Sequence, residues 1–349
     1  MLIKANYKKY ILEFKIPGGT SRGILKTKET WFVFLSEGRK SGIGECGLFR
    51  GLSIDDKPEF EEKLKWVCEN IHLGLEALLN KLYEFPSIQF GIEQAFLSLK
   101  STFKFELFPS NFTKGKEAIP INGLVWMGEK EFMRKQIQEK IEAGFSCIKM
   151  KIGAIDFETE LELLKSVRKE FSASEIELRV DANGAFAPEN ALEKLNRLSA
   201  FDIHSIEQPI AVNQFEEMVS LCENSPIDIA LDEELIGVFS KEKKQQLLKT
   251  IKPQYVILKP SLVGGFQGSK DWINAAKKLH INWWITSALE SNVGLNAIAQ
   301  FTFQLQNKLP QGLGTGSLFS NNFDSPLEVK NGELHYKPTQ SWNLKNLEN

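Results

Sequence analysis

Lys149-Met-Lys151, Asp181-Ala-Asn183, Glu207-Gln-Pro209, Asp232-Glu233 and Lys259-Pro260 close five successive apolar runs between positions 147 and 260. Counted from Lys151, the charged residues follow at steps of 30, 26, 25 and 27. A strand, a helix and their two loops take about that length of chain. The spacing therefore predicts one charged rung at the same end of each of five successive parallel strands. One base, three carboxylates and a second base would then face a common centre, an arrangement suited to a divalent cation and proton chemistry.

Outward from these rungs the alternation continues. Strands are predicted over 119–126, Cys147–Lys151, Glu177–Asp181, Ile203–Glu207, 229–232, 255–259 and 282–286. Helices are predicted over 129–143, Phe157–Glu170, Pro188–Leu198, 215–223, 241–249, 266–279 and 293–309. Phe132, Met133, Ile137 and Ile141 give the first helix an inner face, with Gly144 as its stop. Residues 312–316 are the expected eighth strand. Eight strands and seven helices between them predict an α/β fold, a modified TIM barrel of (β/α)7β type over 116–319.

Residues 1–115 lack this repeat. Strands over 10–15 and 30–35 are followed by helical periodicity over 60–70, 73–83 and 90–100, an α+β pattern. Pro17-Gly-Gly-Thr-Ser-Arg-Gly23 reads as a loop between the strands. In the tail, 327–334 alternates around Asn331-Gly332, the pair favoured in two-residue hairpins. The expectation is a capping domain of 1–115, to which 320–349 returns.

Composition narrows the function classes. The 349 residues carry a net charge of −2, which gives no electrostatic reason for nucleic acid or an anionic membrane as partner. Cys46, Cys68, Cys147 and Cys222 are scattered without zinc-ligand or disulfide spacing. No apolar run has the length of a membrane span or a signal peptide, so a cytoplasmic location is expected. Monomer and homo-oligomer stay equally open.

Strand alternation sorts the rungs. Lys149 and Lys151 share a face, so both point inward if either does. Glu207 shares its face with Ser205 and Ile203, which leaves His204 towards the helices. Of Asp232 and Glu233 only one can face the centre. Three carboxylates with no histidine among them suit Mg²⁺, with Mn²⁺ as an alternative. A lysine beside such an ion can take a proton α to a carboxylate if burial or a neighbouring cation lowers its pKa. The competing expectation is that Lys149 and Lys259 simply neutralise the carboxylates through salt bridges.

Lys-Met-Lys, Val-Asp-Ala-Asn-Gly, Ile-Glu-Gln-Pro, Leu-Asp-Glu and Leu-Lys-Pro, in this order and spacing, resemble the enolase superfamily and its muconate lactonizing subgroup. That resemblance implies Mg²⁺ held by Asp181, Glu207 and Asp232, with Glu233 behind Asp232. It implies Lys151 as the base and Lys259 as a group that stabilises charge. Glu-Gln-Pro departs from the Glu-Glu-Pro of many relatives. Ile285-Thr-Ser-Ala-Leu-Glu-Ser-Asn-Val-Gly294 and Gly312-Leu-Gly-Thr-Gly-Ser-Leu-Phe319 look most like the subgroup's dehydratases of menaquinone biosynthesis. Those act on 2-succinyl-6-hydroxy-2,4-cyclohexadiene-1-carboxylate. A small-molecule carboxylate is thus the expected partner, with Ser287, Ser291 and the backbone of Gly312 and Gly314 as candidate contacts. Lys149 and Asn183 are expected to touch substrate or support the ligands. Arg22 and Phe49 lie in loops that a cap would lower over the site, and Trp283 and Trp284 are expected to pack in the core. Dipeptide epimerisation or N-acylamino acid racemisation is the main alternative and muconate cycloisomerisation a third. The Asp-x-Asp pair that dipeptide epimerases often carry near residue 286 is replaced here by Ser-Ala-Leu-Glu-Ser.

Overall fold

A computed structural model describes residues 2–20 and 23–348. Its N-terminal sheet is antiparallel, with β1 (Lys4–Thr20), β2 (Gly23–Glu37) and β3 (Lys40–Cys46) in that order. The stretch expected as a loop from Pro17 is largely strand, because pairing resumes at Gly18↔Leu25 beyond an irregularity that starts at Glu13. Pro17 falls inside that irregularity, where no ladder N–H is required of it. Arg22 lies outside the described residues.

Three helices follow: α1 (Phe60–Glu69), α2 (Leu75–Leu79) and α3 (Pro86–Lys100). The single helix expected over 73–83 is cut at Gly74, whose φ of 79° no right-handed helix accommodates, leaving a 3₁₀ turn and the short α2. The helix α3 lies directly on β3. A Cβ on Gly44 would come within 1.9 Å of the Gly91 carbonyl oxygen, so Gly42-Ile-Gly44 is what allows the approach.

Seven parallel strands follow in simple sequential order. They are β5 (Gly123–Val125), β6 (Cys147–Lys151), β7 (Glu177–Asp181), β8 (Ile203–Glu207), β9 (Asp228–Leu231), β10 (Tyr255–Leu258) and β11 (Asn282–Ile285). Between them run α4 (Lys130–Glu142), α5 (Phe157–Glu170), α6 (Pro188–Leu198), α7 (Phe215–Asn224), α8 (Lys241–Ile251), the short α9 (Pro260–Val263) and α10 (Gly265–Lys278), and α11 (Asn292–Gln304) follows β11. Apolar side chains of the strands' outer face and the helices' inner face form the main core.

Two expectations at the barrel's seam need correcting. The strand expected over 119–126 is divided: β4 (Ile119–Pro120) leaves the barrel, and only β5 joins it. Pro120 has no N–H, which an edge pairing tolerates and a barrel ladder does not. The eighth strand is replaced by two single-residue bridges, Ile121↔Gln311 and Thr286↔Gly312. Three glycines in five residues disfavour a longer ladder there.

The tail also divides its work. The hairpin of β12 (Leu327–Lys330) and β13 (Glu333–Tyr336) turns on Asn331 and Gly332, at φ 52° and 70°, as a primed turn requires. It pairs with β4, not with the N-terminal sheet. What reaches that sheet is Phe323, with ring centroids 5.5 Å from Phe32 and 5.2 Å from Tyr10, and Leu347 in the same cluster. Two carboxylates from the N-terminal block cap barrel helices. Glu93 on α3 accepts from the Phe266 and Gln267 N–H groups of α10, and Glu45 on β3 accepts from the Ser291 and Gly294 N–H groups at α11. Among the described residues no helix is long and apolar enough to cross a membrane.

Candidate active site

The rungs meet at the C-terminal mouth of the barrel. Lys149 and Lys151 sit two residues apart on β6, and both ammonium groups reach Asp181 Oδ2, at 2.9 and 3.0 Å. Lys149 also donates to Glu207 Oε2 at 2.5 Å. Lys259, just past β10, donates to Asp232 and stands 3.8 Å from Glu207 Oε1. Asp181, Glu207 and Asp232 are 1, 2 and 3% exposed. Carboxylates buried to this depth require partners, and lysines supply them.

This is the salt-bridged arrangement, and its electrostatics follow. Burial alone would lower the pKa of Lys149, yet Asp181 and Glu207 outweigh it and hold the ammonium above its ordinary range. Lys259 is raised in the same way against burial by Asp232 and Glu207. For Asp181, burial pushes upward, and Lys149, Lys151 and Lys259 together bring its carboxyl far below the usual range.

Support comes from the loops that follow the strands. Asn183, at φ 45°, accepts from Lys151 Nζ at 2.6 Å through Oδ1 and donates to Glu233 Oε1 at 3.0 Å through Nδ2. Its own N–H donates to Asp181 Oδ1. Asp232 thus faces the lysines, while Glu233 acts one step away through Asn183. Gln208 is a residue that sequence reasoning noted only as a departure. Its Oε1 accepts the N–H groups of Asp232 and Glu234, both at 3.3 Å, and its Nε2 donates to Glu234 Oε2 and the Ile210 carbonyl, both at 3.1 Å. The amide both accepts and donates here, which an ionised Glu carboxylate in its place could not do.

A cavity of about 390 Å³ opens above these groups. Lys149, Lys151, Asp181, Asn183 and Lys259 line it from the barrel, and Ile16, Pro17, Phe49 and Leu52 from the N-terminal block. Phe132, expected to point into the core, is 38% exposed and lines the cavity instead. Ser287 and Gly314 also line it, with Ser287 Oγ hydrogen-bonded to Thr315 Oγ1 at 2.7 Å. Ser291 does not. It caps α11, fully buried, and its hydroxyl and N–H both donate to Glu45. Gly312 lines the cavity, but its N–H is spent on the Ile285 carbonyl at 2.8 Å and is not free for a carboxylate.

His204 is a further correction. Register between β7 and β8 shifts from Leu178↔Ile203 to Arg179↔Ser205, so His204 is the extra residue of a bulge. The bulge breaks parity: Ile203 joins the outer core, and the His204 ring centroid lies 5.1 Å from that of Tyr255. Trp283 and Trp284 both pack in the core as expected, Trp284 beneath the Arg179 guanidinium at 4.1 Å.

Among the described residues no three His, Cys, Asp or Glu side chains are grouped closely enough to hold a metal ion, since lysine ammonium groups stand between the carboxylates. The donor set nevertheless fits a hard divalent cation. All three acids are carboxylates without a competing soft ligand, and buried Glu207 Oε1 accepts no hydrogen bond.

The family pattern described as "Enolase C-terminal domain-like" matches residues 132–340, and the chain belongs to the enolase superfamily, within its muconate lactonizing subgroup. It is 45% identical to the o-succinylbenzoate synthase of Desulfotalea psychrophila, over 95% of this chain and 98% of that one. The crystal structure of MenC from that organism superposes with a TM-score of 0.85 at 42% identity, covering 96% of this chain and all of the other. A dipeptide epimerase from Cytophaga hutchinsonii, solved with Mg and the dipeptide D-Ala-L-Val, has a TM-score of 0.84 at 20% identity over 100% and 98% of the chains, a likeness of fold alone.

Proposed function

We propose that this chain is an o-succinylbenzoate synthase, a hydro-lyase that dehydrates 2-succinyl-6-hydroxy-2,4-cyclohexadiene-1-carboxylate. The observation that carries this reading is the 45% identity to such a synthase along nearly the whole of both chains. Asp181, Glu207 and Asp232 would hold Mg²⁺, and the ion would compete with the lysines for the same oxygens. Bound there, the ion supplies positive charge for the oxygen charge that develops on the substrate carboxylate.

The remaining steps belong to this chain's own groups. Lys151 Nζ removes the α-proton, and Asn183, fixed through Glu233, sets where that nitrogen points. The electron pair left on carbon forms the new ring double bond as the C–O bond breaks. Lys151, now an ammonium on the same face, returns its proton to the departing hydroxyl, which leaves as water. Aromatisation drives the elimination, so one base suffices. Lys259, held by Asp232 and near Glu207 on the opposite side, presents a fixed positive charge to the ring and carboxylate. Phe49, Leu52 and Ile16 keep water from the apolar side of the cavity.

The test is purified protein with Mg²⁺ and the cyclohexadiene substrate, followed by loss of the diene's ultraviolet absorbance. An L-Ala-D/L-Glu epimerisation assay runs beside it. Turnover of the dipeptide without loss of the diene would overturn the assignment in favour of the epimerase.

A further inference from the structure

The loop after β11 carries a buried carboxylate that none of these steps uses. Glu290 has no exposed surface. Its Oε1 accepts the Ser261 hydroxyl at 2.5 Å, and its Oε2 accepts the Ala288 N–H at 2.7 Å. Ser261 lies on α9, two residues after Lys259. Ala288 lies between Ser287 and Leu289, and all three line the cavity. One carboxylate thus spans the segment that carries a site lysine and the wall that faces substrate.

The wall it holds is bent. Leu289 sits at φ 61°, a left-handed conformation that costs a side-chain-bearing residue on the order of 1 kcal/mol. Such strain persists only where the surroundings fix it, and the Ala288 N–H bond to Glu290 closes the loop across that residue. Lys28 of β2 is buried as well, 6% exposed, near enough to Glu290 and Glu45 for both carboxyls to act on its charge, and its Nζ makes no hydrogen bond among the described residues. Burial pushes the Lys28 ammonium down and the Glu290 carboxyl up; each group opposes the other's shift, while Glu45 also raises Lys28 and pushes Glu290 further up. Gly47 leaves the room needed: a Cβ there would come within 2.9 Å of Glu290 Cγ.

We propose that Glu290 is a positioning residue, which clamps the Lys259 segment to the Ser287–Leu289 wall and takes its counter-charge from Lys28 of the N-terminal sheet. Seating of that sheet then sets the geometry of the barrel's mouth. The assay rests on the dehydratase reading, but the clamp does not.

Glu290→Gln keeps both hydrogen bonds, since its oxygen can accept the Ala288 N–H and its amide can donate to Ser261 Oγ. It removes the Glu290 charge and leaves Glu45 as the remaining carboxyl that acts on Lys28. Ser261→Ala cuts the link on the lysine side. Loss of a charge-assisted bond corresponds to about tenfold in rate, so Ser261→Ala is expected to lower kcat about tenfold with KM within about twofold. Glu290→Gln is expected to lose about tenfold in kcat/KM, and Lys28→Met combined with Glu290→Gln to regain most of it. Native kcat and KM in both Ser261→Ala and Glu290→Gln, with or without a lower melting temperature, overturn the proposal. A second readout needs no substrate. In Glu290→Ala, hydrogen exchange of the peptide spanning 286–291 should quicken at least about tenfold, and unchanged exchange overturns the clamp. Failure of the unmodified enzyme to turn over the diene counts against the dehydratase reading alone.

Discussion

Two groups of buried acids lie one above the other in this molecule, and they are satisfied in different ways. At the barrel mouth, Asp181, Glu207 and Asp232 are matched by three lysine ammonium groups. Between the N-terminal block and the barrel, Glu45 and Glu93 are matched chiefly by backbone N–H groups at helix starts. A backbone donor cannot move without the helix that bears it. A lysine on a four-carbon stem can withdraw and leave its carboxylate to another cation. The first group is therefore exchangeable and suited to chemistry, and the second is fixed and suited to assembly.

The largest expected effect breaks the exchangeable group. Lys151→Ala should reduce dehydration by roughly 10³-fold, while calorimetric titration still detects Mg²⁺ binding. Turnover near the native rate would remove Lys151 from the role of base. Next comes the contrast within Asp232-Glu233. Asp232→Asn should weaken Mg²⁺ binding on the order of 100-fold and Glu233→Gln by about tenfold, because Glu233 acts through Asn183. The opposite ranking would make Glu233 the ligand.

The fixed group should respond in stability. Glu45→Ala strands the Ser291 and Gly294 N–H groups and the Ser291 hydroxyl in a buried interface, at about 3 kcal/mol by urea denaturation. The smallest effect is a slope. Burial pushes the Glu93 carboxyl from 4.5 up to about 7. The native state then keeps a proton that the unfolded chain releases, so the contribution of Glu93 to stability is greatest below about pH 4.5 and is lost as pH rises towards 7. Glu93→Gln should flatten that fall by roughly 2 kcal/mol across this window, measured as denaturation midpoints against pH. An identical slope in both proteins would show that Glu93 is already ionised at the acid end.

The sequence made the exchangeable group easy to read and the fixed one hard. Lys151, Asp181 and Glu207 end strands and Asp232 and Lys259 directly follow them, so even spacing and parity are enough to bring them together. Parity failed at His204 because a bulge adds a residue without any mark in the chain. It failed again at the seam, where Pro120 and the glycines of 312–316 are poor ladder partners. Ser291 looked like a substrate contact because its position beside the mouth is visible in the sequence, whereas its partner Glu45 is 246 residues away. Glu45, Glu93 and Glu290 follow no period at all. Glu45 and Glu93 meet chiefly backbone groups of distant elements, and Glu290 meets the Ser261 hydroxyl and an N–H of its own loop, which no local pattern announces.

The return of the tail has a consequence for the order in which this molecule can be completed. Phe32 and Ile43 belong to a cluster that is finished by Phe323 and Leu347. A ribosome adding 5–20 residues per second needs roughly 15 to 60 s to pass from one end of that cluster to the other. Through that interval the first-made sheet presents an unfilled apolar face to the cell. A risk of pairing with a neighbouring nascent chain follows from where two late side chains come to rest.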